Sequence, residues 1–117
     1  MAMLLDQRGA ADEAKLVARS LKQDHDAFGQ LVERYATVIA NLAYRMVGDR
    51  TEAEDLAQET FVAAFKSLPT FRAESKFSTW LYRIAANKCK DWLRVKRPGQ
   101  SVQDVDIEDV LDDRVVE

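Results

Sequence analysis

The sequence predicts an all-α protein, a compact bundle of about four helices followed by a flexible acidic C-terminal tail. Apolar residues recur at helical spacing across most of the chain before Pro98. Val, Ile and Thr nowhere alternate with polar residues over the length of a strand. With 117 residues, the chain can form one domain with a modest core. We expect that domain to cover residues 1–98, with an acidic linker over residues 99–117.

The first two helices are predicted over residues 12–22 and 26–47, with His25 in the loop between them. Asp12 is the expected N-cap of the first helix, because aspartate accepts hydrogen bonds from the free N–H groups at a helix start. Its expected apolar side is Leu16, Val17 and Leu21. Apolar positions of the second helix fall within roughly 140° at 100° per residue, and Gly48 and Asp49 are expected to end it. These positions are Phe28, Leu31, Val32, Tyr35, Val38, Ile39, Leu42, Ala43 and Met46.

The third helix is expected to begin at a capping box formed by Thr51 and Glu54 and to end near Ser67. Pro69 stops it, because the residue before a proline is disfavoured in the helical region. Its expected buried side is Ala53, Ala57, Phe61, Ala64 and Leu68. Its outward side carries Glu52, Asp55, Gln58, Glu59, Val62 and Lys66. Periodicity alone favours a solvent-exposed face there, although a valine among acidic residues also indicates, more weakly, docking against a basic partner helix.

A loop over residues 69–77 is predicted to precede the fourth helix, whose expected N-cap is Ser78. The expected core-facing stripe of this helix is Leu81, Ile84, Ala85, Trp92 and Val95. Lys88 falls inside that stripe, so its stem is expected to pack while its amine reaches solvent.

Charge is distributed unevenly along the chain. Residues 70–98 carry 8 basic and 2 acidic side chains, whereas residues 99–117 carry 1 basic and 7 acidic ones. A basic segment followed by an acidic one indicates two different partners, or masking of the first by the second.

The polar side of the fourth helix has the residue types that bind nucleic acid. It carries Arg83, Lys90, Arg94 and Arg97, with Asn87 at their edge. Cations can neutralise phosphates along a backbone, whereas an amide can donate to and accept from a base edge. In the preceding loop, aromatic and basic residues alternate, a composition on which unpaired bases stack. The alternatives are a merely solvated stripe, and a role for Phe71 or Phe77 as a core anchor of the loop.

Other function classes find little support. One cysteine, Cys89, excludes an internal disulfide, and with His25 as the only histidine a zinc site is not expected. No glycine-rich phosphate loop and no Ser or Cys paired with a base is present, so we expect neither an enzyme nor a cofactor. No apolar run reaches membrane-spanning length and no secretion signal precedes the first helix, so a cytoplasmic protein is expected.

Two separated motifs resemble a known family. The stretch Ala53–Phe61 (AEDLAQETF), followed by Phe71-Arg72 and then Lys76–Asn87 (KFSTWLYRIAAN), is similar to region 2 of bacterial RNA polymerase sigma factors. The extracytoplasmic-function group (group IV of the sigma-70 family) is the most similar. The resemblance covers roughly residues 20–98, and both motifs occur at the expected spacing.

The resemblance implies a non-enzymatic subunit that docks on core RNA polymerase and recognises and melts the −10 promoter element. The helix matching Ala53–Phe61 would bind the clamp helices of the largest polymerase subunit. The loop matching Phe71–Ser78 would capture a base flipped out of the non-template strand, and the following helix would support melting, with Asn87 at the base pocket. The expected polymerase contacts are Asp55, Gln58, Glu59 and Val62. The expected DNA contacts are Phe71, Arg72, Ser75, Lys76, Phe77, Ser78, Arg83, Asn87, Lys90, Arg94 and Arg97.

Family members carry a second helical domain that recognises the −35 element, and the chain has no match to it. We therefore expect a piece of a longer protein that retains polymerase docking and −10 recognition, with an anti-sigma protein as a further partner. The alternative is a protein-interaction module whose basic amphipathic helix binds an acidic protein or a membrane surface.

Overall fold

Four α-helices make up most of the structure, a computed structural model that describes residues 2–72 and 75–98. They are α1 (Ala2–Leu21), α2 (His25–Val47), α3 (Arg50–Ser67) and α4 (Phe77–Lys96), with a 3₁₀ turn at Leu68–Thr70 between α3 and α4. No strand occurs among the described residues, and the predicted all-α class is confirmed. The acidic tail lies outside the described residues.

The chain divides into two compact units within α2, between Tyr35 and Ala36. The single domain over residues 1–98, with a linker over 99–117, stays a prediction. In the first unit, α1 begins at Ala2, so the expected start near Asp12 is wrong. The segment before Asp12 is rich in Ala, Leu and Met, strong helix formers whose combined preference outweighs the cost of about 1 kcal/mol for Gly9.

Side chains of α1 pair with α2 inside this first unit. Asp12 is not an N-cap; its carboxylate lies 3.7 Å from the Arg34 guanidinium. Arg34 also lies 3.8 Å from Glu13, which accepts a hydrogen bond from the Tyr35 hydroxyl. Leu16 and Val17 are buried as predicted, but Leu21 is 44% exposed because it is the last residue of α1.

Asp24 forms the start of α2. One carboxylate oxygen accepts from the Ala27 N–H at 3.1 Å and the other from the Arg19 guanidinium at 2.8 Å. The bond from Arg19 is the main reason that the pKa of Asp24 is lowered, and the Ala27 N–H adds to it. His25 is therefore the first residue of α2 and not the loop residue expected.

The second unit packs the later half of α2 against α3 and α4. Ala43 and Val47 of α2 form a buried cluster with Ala53 and Leu56 of α3 and Cys89 of α4. Met46, Trp92 and Leu93 pack against this cluster. At the end of α2, Gly48 has a φ of 77°, a backbone conformation that glycine adopts without the steric cost of a side chain.

The N-cap of α3 lies two residues before the expected capping box. Asp49, not Thr51, is the N-cap, and its carboxylate accepts from the Glu52 N–H at 3.0 Å. Asp49 and Glu52 have the same three-residue spacing as Thr51 and Glu54, and aspartate is at least as good a cap as threonine. Because Gly48 ends α2, Asp49 is also the first residue free to adopt the extended cap conformation.

The buried side of α3 is shifted from the expected one. Ala53, Ala57 and Ala64 are buried as predicted, and Leu68 is buried in the 3₁₀ turn. Leu56 and Thr60 are also buried, whereas Phe61 is only half-buried. Thr60 satisfies its hydroxyl by donating to the Leu56 carbonyl at 2.7 Å, so a residue classed as polar is accommodated in the core.

The buried face of α4 is rotated by roughly 60° from the expected stripe, at 100° per residue. Leu81 and Ala85 are buried as predicted, but Ile84 and Trp92 are half-buried and Val95 is 73% exposed. The buried positions that hydrophobicity did not single out are Tyr82, Ala86 and Cys89. The small Ala86 and Cys89 let α4 lie close to α3, and among the described residues these two helices share the most extensive contact.

Candidate nucleic-acid and partner-binding surfaces

α4 presents an exposed polar stripe on the side away from its buried residues. Arg83, Asn87 and Arg94 are exposed and Lys90 is half-buried, and we call these four residues the basic stripe. Arg94 makes an ion pair with Asp91 at 3.0 Å. Both partners are more than half exposed, so this bond is weak and a phosphate can replace it.

The opposite face of α4 is chemically inert. Cys89 is fully buried, and desolvation raises the pKa of its thiol to about 12. A neutral, inaccessible thiol is neither a nucleophile nor a metal ligand. Among residues 12–72 and 75–98, no group of three or more His, Cys, Asp or Glu side chains could hold a metal ion.

The predicted base-capturing loop is anchored by three aromatic rings. The Phe71 ring centroid lies 5.8 Å from that of Phe77 and 5.2 Å from that of Trp80, and Phe77 and Trp80 are 5.7 Å apart. These separations are typical of stabilising aromatic pairs. The cluster joins the two ends of the loop, because Phe71 follows the 3₁₀ turn directly and Phe77 and Trp80 belong to the first turn of α4.

Within the loop, Arg72 and Lys76 are exposed, and Phe71, Ser75 and Ser78 are half-buried. The Ser75 N–H donates to the Arg72 carbonyl at 3.3 Å. Phe77 is 5% exposed, so its ring has no free face for a base in this conformation. The alternative role as a core anchor therefore describes Phe77 better than a stacking role does.

α4 also begins one residue before its expected cap. Lys76 occupies the N-cap position without a side-chain cap bond, and Ser78 lies within the first turn. A serine N-cap contributes about 1 kcal/mol, less than burying a phenylalanine side chain. Starting the helix at Phe77 places that ring in the aromatic cluster, which explains the earlier start.

Arg97, the last of the predicted DNA contacts, is engaged elsewhere in the second unit. Its guanidinium donates to the Val47 carbonyl at 3.2 Å and lies 5.9 Å from the centre of the Trp92 ring. The Trp92 indole N–H donates to the Glu52 carboxylate at 3.0 Å. Glu52, which was expected on the outward side of α3, is half-buried and contacts α4 through this bond.

The predicted polymerase contacts line one open groove of about 540 Å³ beside α3. Its lining residues are Asp55, Gln58, Glu59, Val62, Ala63, Lys66 and Lys88. Val62 is 54% exposed, an apolar side chain between acidic and basic ones. All four residues selected from the sequence are thus brought together.

Lys88 was not selected as a contact, yet it lines this groove from α4. Its place follows from the rotation of α4, which turns Lys88 to the flank nearest α3. Trp80 was likewise missed as a ring partner of the loop. Neither contact has a local sequence signal, since each depends on which helices are neighbours.

No helix among the described residues is both long enough and apolar enough to cross a membrane.

The family of this chain follows from comparison with known sequences. The sequence model described as Sigma-70 region 2 matches residues 31–98, which include the basic stripe, the loop and the groove.

Curated proteins with similar sequences are sigma factors as well. The chain is 46% identical over 84 residues to the ECF RNA polymerase sigma factor SigW of Bacillus subtilis, covering 72% of this chain and 45% of SigW. It is 46% identical over 99 residues to the RNA polymerase sigma-H factor of Pseudomonas aeruginosa, covering 83% and 50%. It is 44% identical over 93 residues to the ECF RNA polymerase sigma-E factor of Escherichia coli K12, covering 78% and 47%. The chain therefore spans about half the length of these relatives.

Two solved structures are similar. An engineered region 2 of sigmaE, in complex with GTAAAA, superposes with a TM-score of 0.66 at 41% identity, covering 76% of this chain and 94% of that one. CnrH, in complex with the cytosolic domain of CnrY, superposes with a TM-score of 0.64 at 36% identity, covering 68% and 52%.

Proposed function

The chain belongs to the sigma-70 region 2 family and to its extracytoplasmic-function group, and we propose that it docks on core RNA polymerase and recognises and melts the −10 promoter element. Sigma factors are transcription initiation factors and not enzymes, so the chemistry of RNA synthesis belongs to the polymerase. In the cell, we place this chain in the cytoplasm, where the polymerase acts.

The observation that carries this proposal is the pairing of two distinct surfaces on the second unit. The groove of Asp55, Gln58, Glu59 and Val62 is formed mainly by α3, whereas the basic stripe is carried by α4. In the groove, two carboxylates and the exposed Val62 lie beside Lys66 and Lys88, and the carboxylates with the valine suit a basic amphipathic protein helix. The basic stripe is cationic and suits a phosphate backbone.

For DNA we propose a division of labour along the loop and α4. Arg72, Lys76, Arg83, Lys90 and Arg94 bind phosphates, which positions the strand without selecting a sequence. The exposed amide of Asn87 contacts a base edge, where it can both donate and accept. The half-buried Phe71, with Ser75 and Ser78, borders the pocket for an unpaired base.

Melting then follows from capture of unpaired bases. Unstacking and unpairing a base costs a few kcal/mol, and stacking on an aromatic surface returns about 1–3 kcal/mol per base. Phosphate contacts supply the remaining binding free energy. Without them the state with captured bases would not be populated. The relative in complex with GTAAAA supports a short strand of this kind as the ligand.

The decisive experiment is selection of single-stranded oligonucleotides by the 117-residue chain together with core polymerase, from a random library that includes GTAAAA. We expect enrichment of one short sequence class that matches the −10 elements of the source organism. Recovery of unrelated sequences at equal frequency would remove −10 recognition from the proposal.

Replacing Arg94 with alanine should weaken binding of every oligonucleotide to a similar extent. Because Arg94 is exposed and contacts a phosphate, its loss should lower the slope of log K against log salt by about one unit. Fluorescence anisotropy at four or five salt concentrations measures this slope. An unchanged slope would show that Arg94 does not contact a phosphate.

Replacing Asn87 with alanine should instead reduce discrimination at one base position. We expect the preferred base there to lose about 1–3 kcal/mol of its advantage, while the salt slope stays the same. The measurement is competition between oligonucleotides that differ at single positions, with Arg94→Ala as the control that weakens all of them. If Asn87→Ala left every preference intact, the base-pocket assignment would be wrong.

A regulatory protein of the anti-sigma type is the other partner we propose. The similar structure of CnrH is a complex with the cytosolic domain of CnrY, and the exposed Val62 offers an apolar contact for such a partner. The rival function, an interaction module whose basic helix binds an acidic protein or a membrane, shares this feature. The two functions differ in that the rival does not need Asp55 and Glu59 as binding contacts.

A further inference from the structure

The cationic residues near the end of α4 differ in what their side chains contact. Among the described residues, the ion partner of Arg94 is local: Asp91, three positions earlier on the same helix. Arg97 reaches a residue 50 positions away in sequence, the Val47 carbonyl at the end of α2. This contact is a feature of the tertiary fold, whereas the ion pair of Arg94 lies within one helix.

From these contacts we propose that Arg97 is a positioning residue, and not a phosphate contact, that fixes the last turn of α4 against the corner between α2 and α3. The proposal deepens the DNA-binding function above, because the residue that it positions is Arg94. We call the group formed by Arg97, Trp92, Glu52 and the Val47 carbonyl the α4 clasp.

Arg97 donates hydrogen bonds at the C-terminal ends of two helices, α4 and α2. Its own N–H donates to the Leu93 carbonyl at 2.9 Å, the last bond of α4. Its side chain donates to the carbonyl of Val47, the last residue of α2. The final carbonyls of an α-helix lack intrahelical donors and carry partial negative charge, which a cation stabilises.

Trp92 connects this contact to α3. The Arg97 guanidinium lies near the face of the Trp92 ring, an arrangement with a cation–π attraction. The Trp92 indole N–H is held by Glu52, whose N–H is in turn capped by Asp49. Each member of the α4 clasp therefore has its orientation set by the next one.

The α4 clasp fixes the part of the chain that carries Arg94. Arg94 lies between Trp92 and Arg97, within the turn that the clasp ties down at both ends. Arg97 is exposed and its bond to Val47 uses only one of the five N–H donors of a guanidinium, but that bond and the Trp92 ring direct its side chain to the end of α2. A phosphate would have to compete with both interactions, so we expect the phosphate contacts to come from the loop and the basic stripe.

Hydrogen exchange of the complete 117-residue chain, followed by NMR, tests the structural part without DNA. Arg97→Ala should raise the exchange rates of the Arg97 and Gly48 amides by several-fold or more, since these close the ends of α4 and α2. Arg94→Ala, an arginine replaced on the same helix, should leave the Gly48 amide unchanged. Unchanged exchange at Gly48 in Arg97→Ala would overturn the proposal.

Trp92→Phe serves as a second variant, because it keeps a ring under Arg97 but loses the donor to Glu52. It should accelerate exchange at the Arg97 amide less than Arg97→Ala does. Equal exchange in Trp92→Phe and in the unmodified chain would remove Trp92 and Glu52 from the α4 clasp and overturn that part of the proposal.

Oligonucleotide binding tests the positioning part, with GTAAAA as the probe at a temperature where all variants are folded. Arg97→Ala should lower the affinity a few-fold with an unchanged salt slope, whereas Arg94→Ala lowers the slope by about one unit. A slope lowered by about one unit in Arg97→Ala overturns the proposal whatever the exchange shows. If the unmodified chain does not bind, the proposed DNA function fails, while the exchange result still decides the α4 clasp.

Discussion

Asp55→Arg should abolish binding to core RNA polymerase at concentrations where the unmodified chain is saturated. Asp55 lines the groove beside α3, and its side chain is exposed. A reversed charge would meet the basic partner helix that we propose for this groove, and like charges placed together at an interface cost several kcal/mol. A loss of about 3 kcal/mol corresponds to a more than hundredfold weaker Kd. Titration of labelled chain with core polymerase measures it.

Glu54→Arg is the matched control. Glu54 is also an exposed acid of α3, but it is not among the residues that line the groove. The same charge reversal should therefore change polymerase affinity only a few-fold, and circular dichroism should show both variants equally folded. Equal losses in the two variants would mean that net charge, and not this groove, controls the association.

The same pair of variants distinguishes the rival function. A module that binds an acidic protein or membrane through its basic stripe has no need of Asp55, and removing an acid would strengthen that association. If the Asp55→Arg variant still bound core polymerase as tightly as the unmodified chain, the rival function would be supported. Loss in Asp55→Arg alone supports polymerase docking through α3.

Sequence periodicity was sufficient where many large apolar residues share one helix face. α2 is the example: it was expected over residues 26–47 and is observed at His25–Val47. Ile39, Leu42 and Ala43 are buried as predicted. With so many apolar side chains in phase, one or two exceptions cannot change the direction of the buried face.

α4 shows why the same reasoning failed there. The expected stripe depended on Trp92 and Val95, but Trp92 has an N–H that is held by Glu52 at the protein surface, and Val95 lies in the last turn. The true buried face is defined by Ala86 and Cys89, residues too small to dominate a hydrophobic pattern. What selects them is the close approach of α3, a tertiary constraint that is invisible in the sequence of α4.

The candidate site divides in the same way. The residue types of the groove and the basic stripe follow from spacing within one helix and were found from the sequence. The contributions of Lys88, Trp80 and Arg97 depend on contacts between elements. Arg97 lies within reach of the polar stripe by helical angle, yet its long side chain turns to the end of α2, because a free carbonyl there offers a better partner than solvent.

Phe77→Ala should cause the largest loss of stability among these variants. The Phe77 side chain is 5% exposed and contacts both Phe71 and Trp80. Replacing a buried phenylalanine with alanine costs about 3–5 kcal/mol, a large share of the roughly 5–15 kcal/mol that stabilises a typical domain. Urea denaturation followed by circular dichroism should show a much lower midpoint. Phe61→Ala, at a half-buried ring of α3, should cost less than half as much.

Phe77→Leu then separates anchoring from base contact. Leucine keeps most of the apolar volume, so the fold should survive with a loss of less than about 1.5 kcal/mol. If Phe77 anchors the loop, as its burial indicates, GTAAAA affinity should stay within a few-fold of the unmodified chain. If affinity instead falls tenfold or more while the urea midpoint holds, the ring must leave the aromatic cluster and stack on a base. The loop would then open on binding, and Phe71 and Trp80 would be exposed together with it.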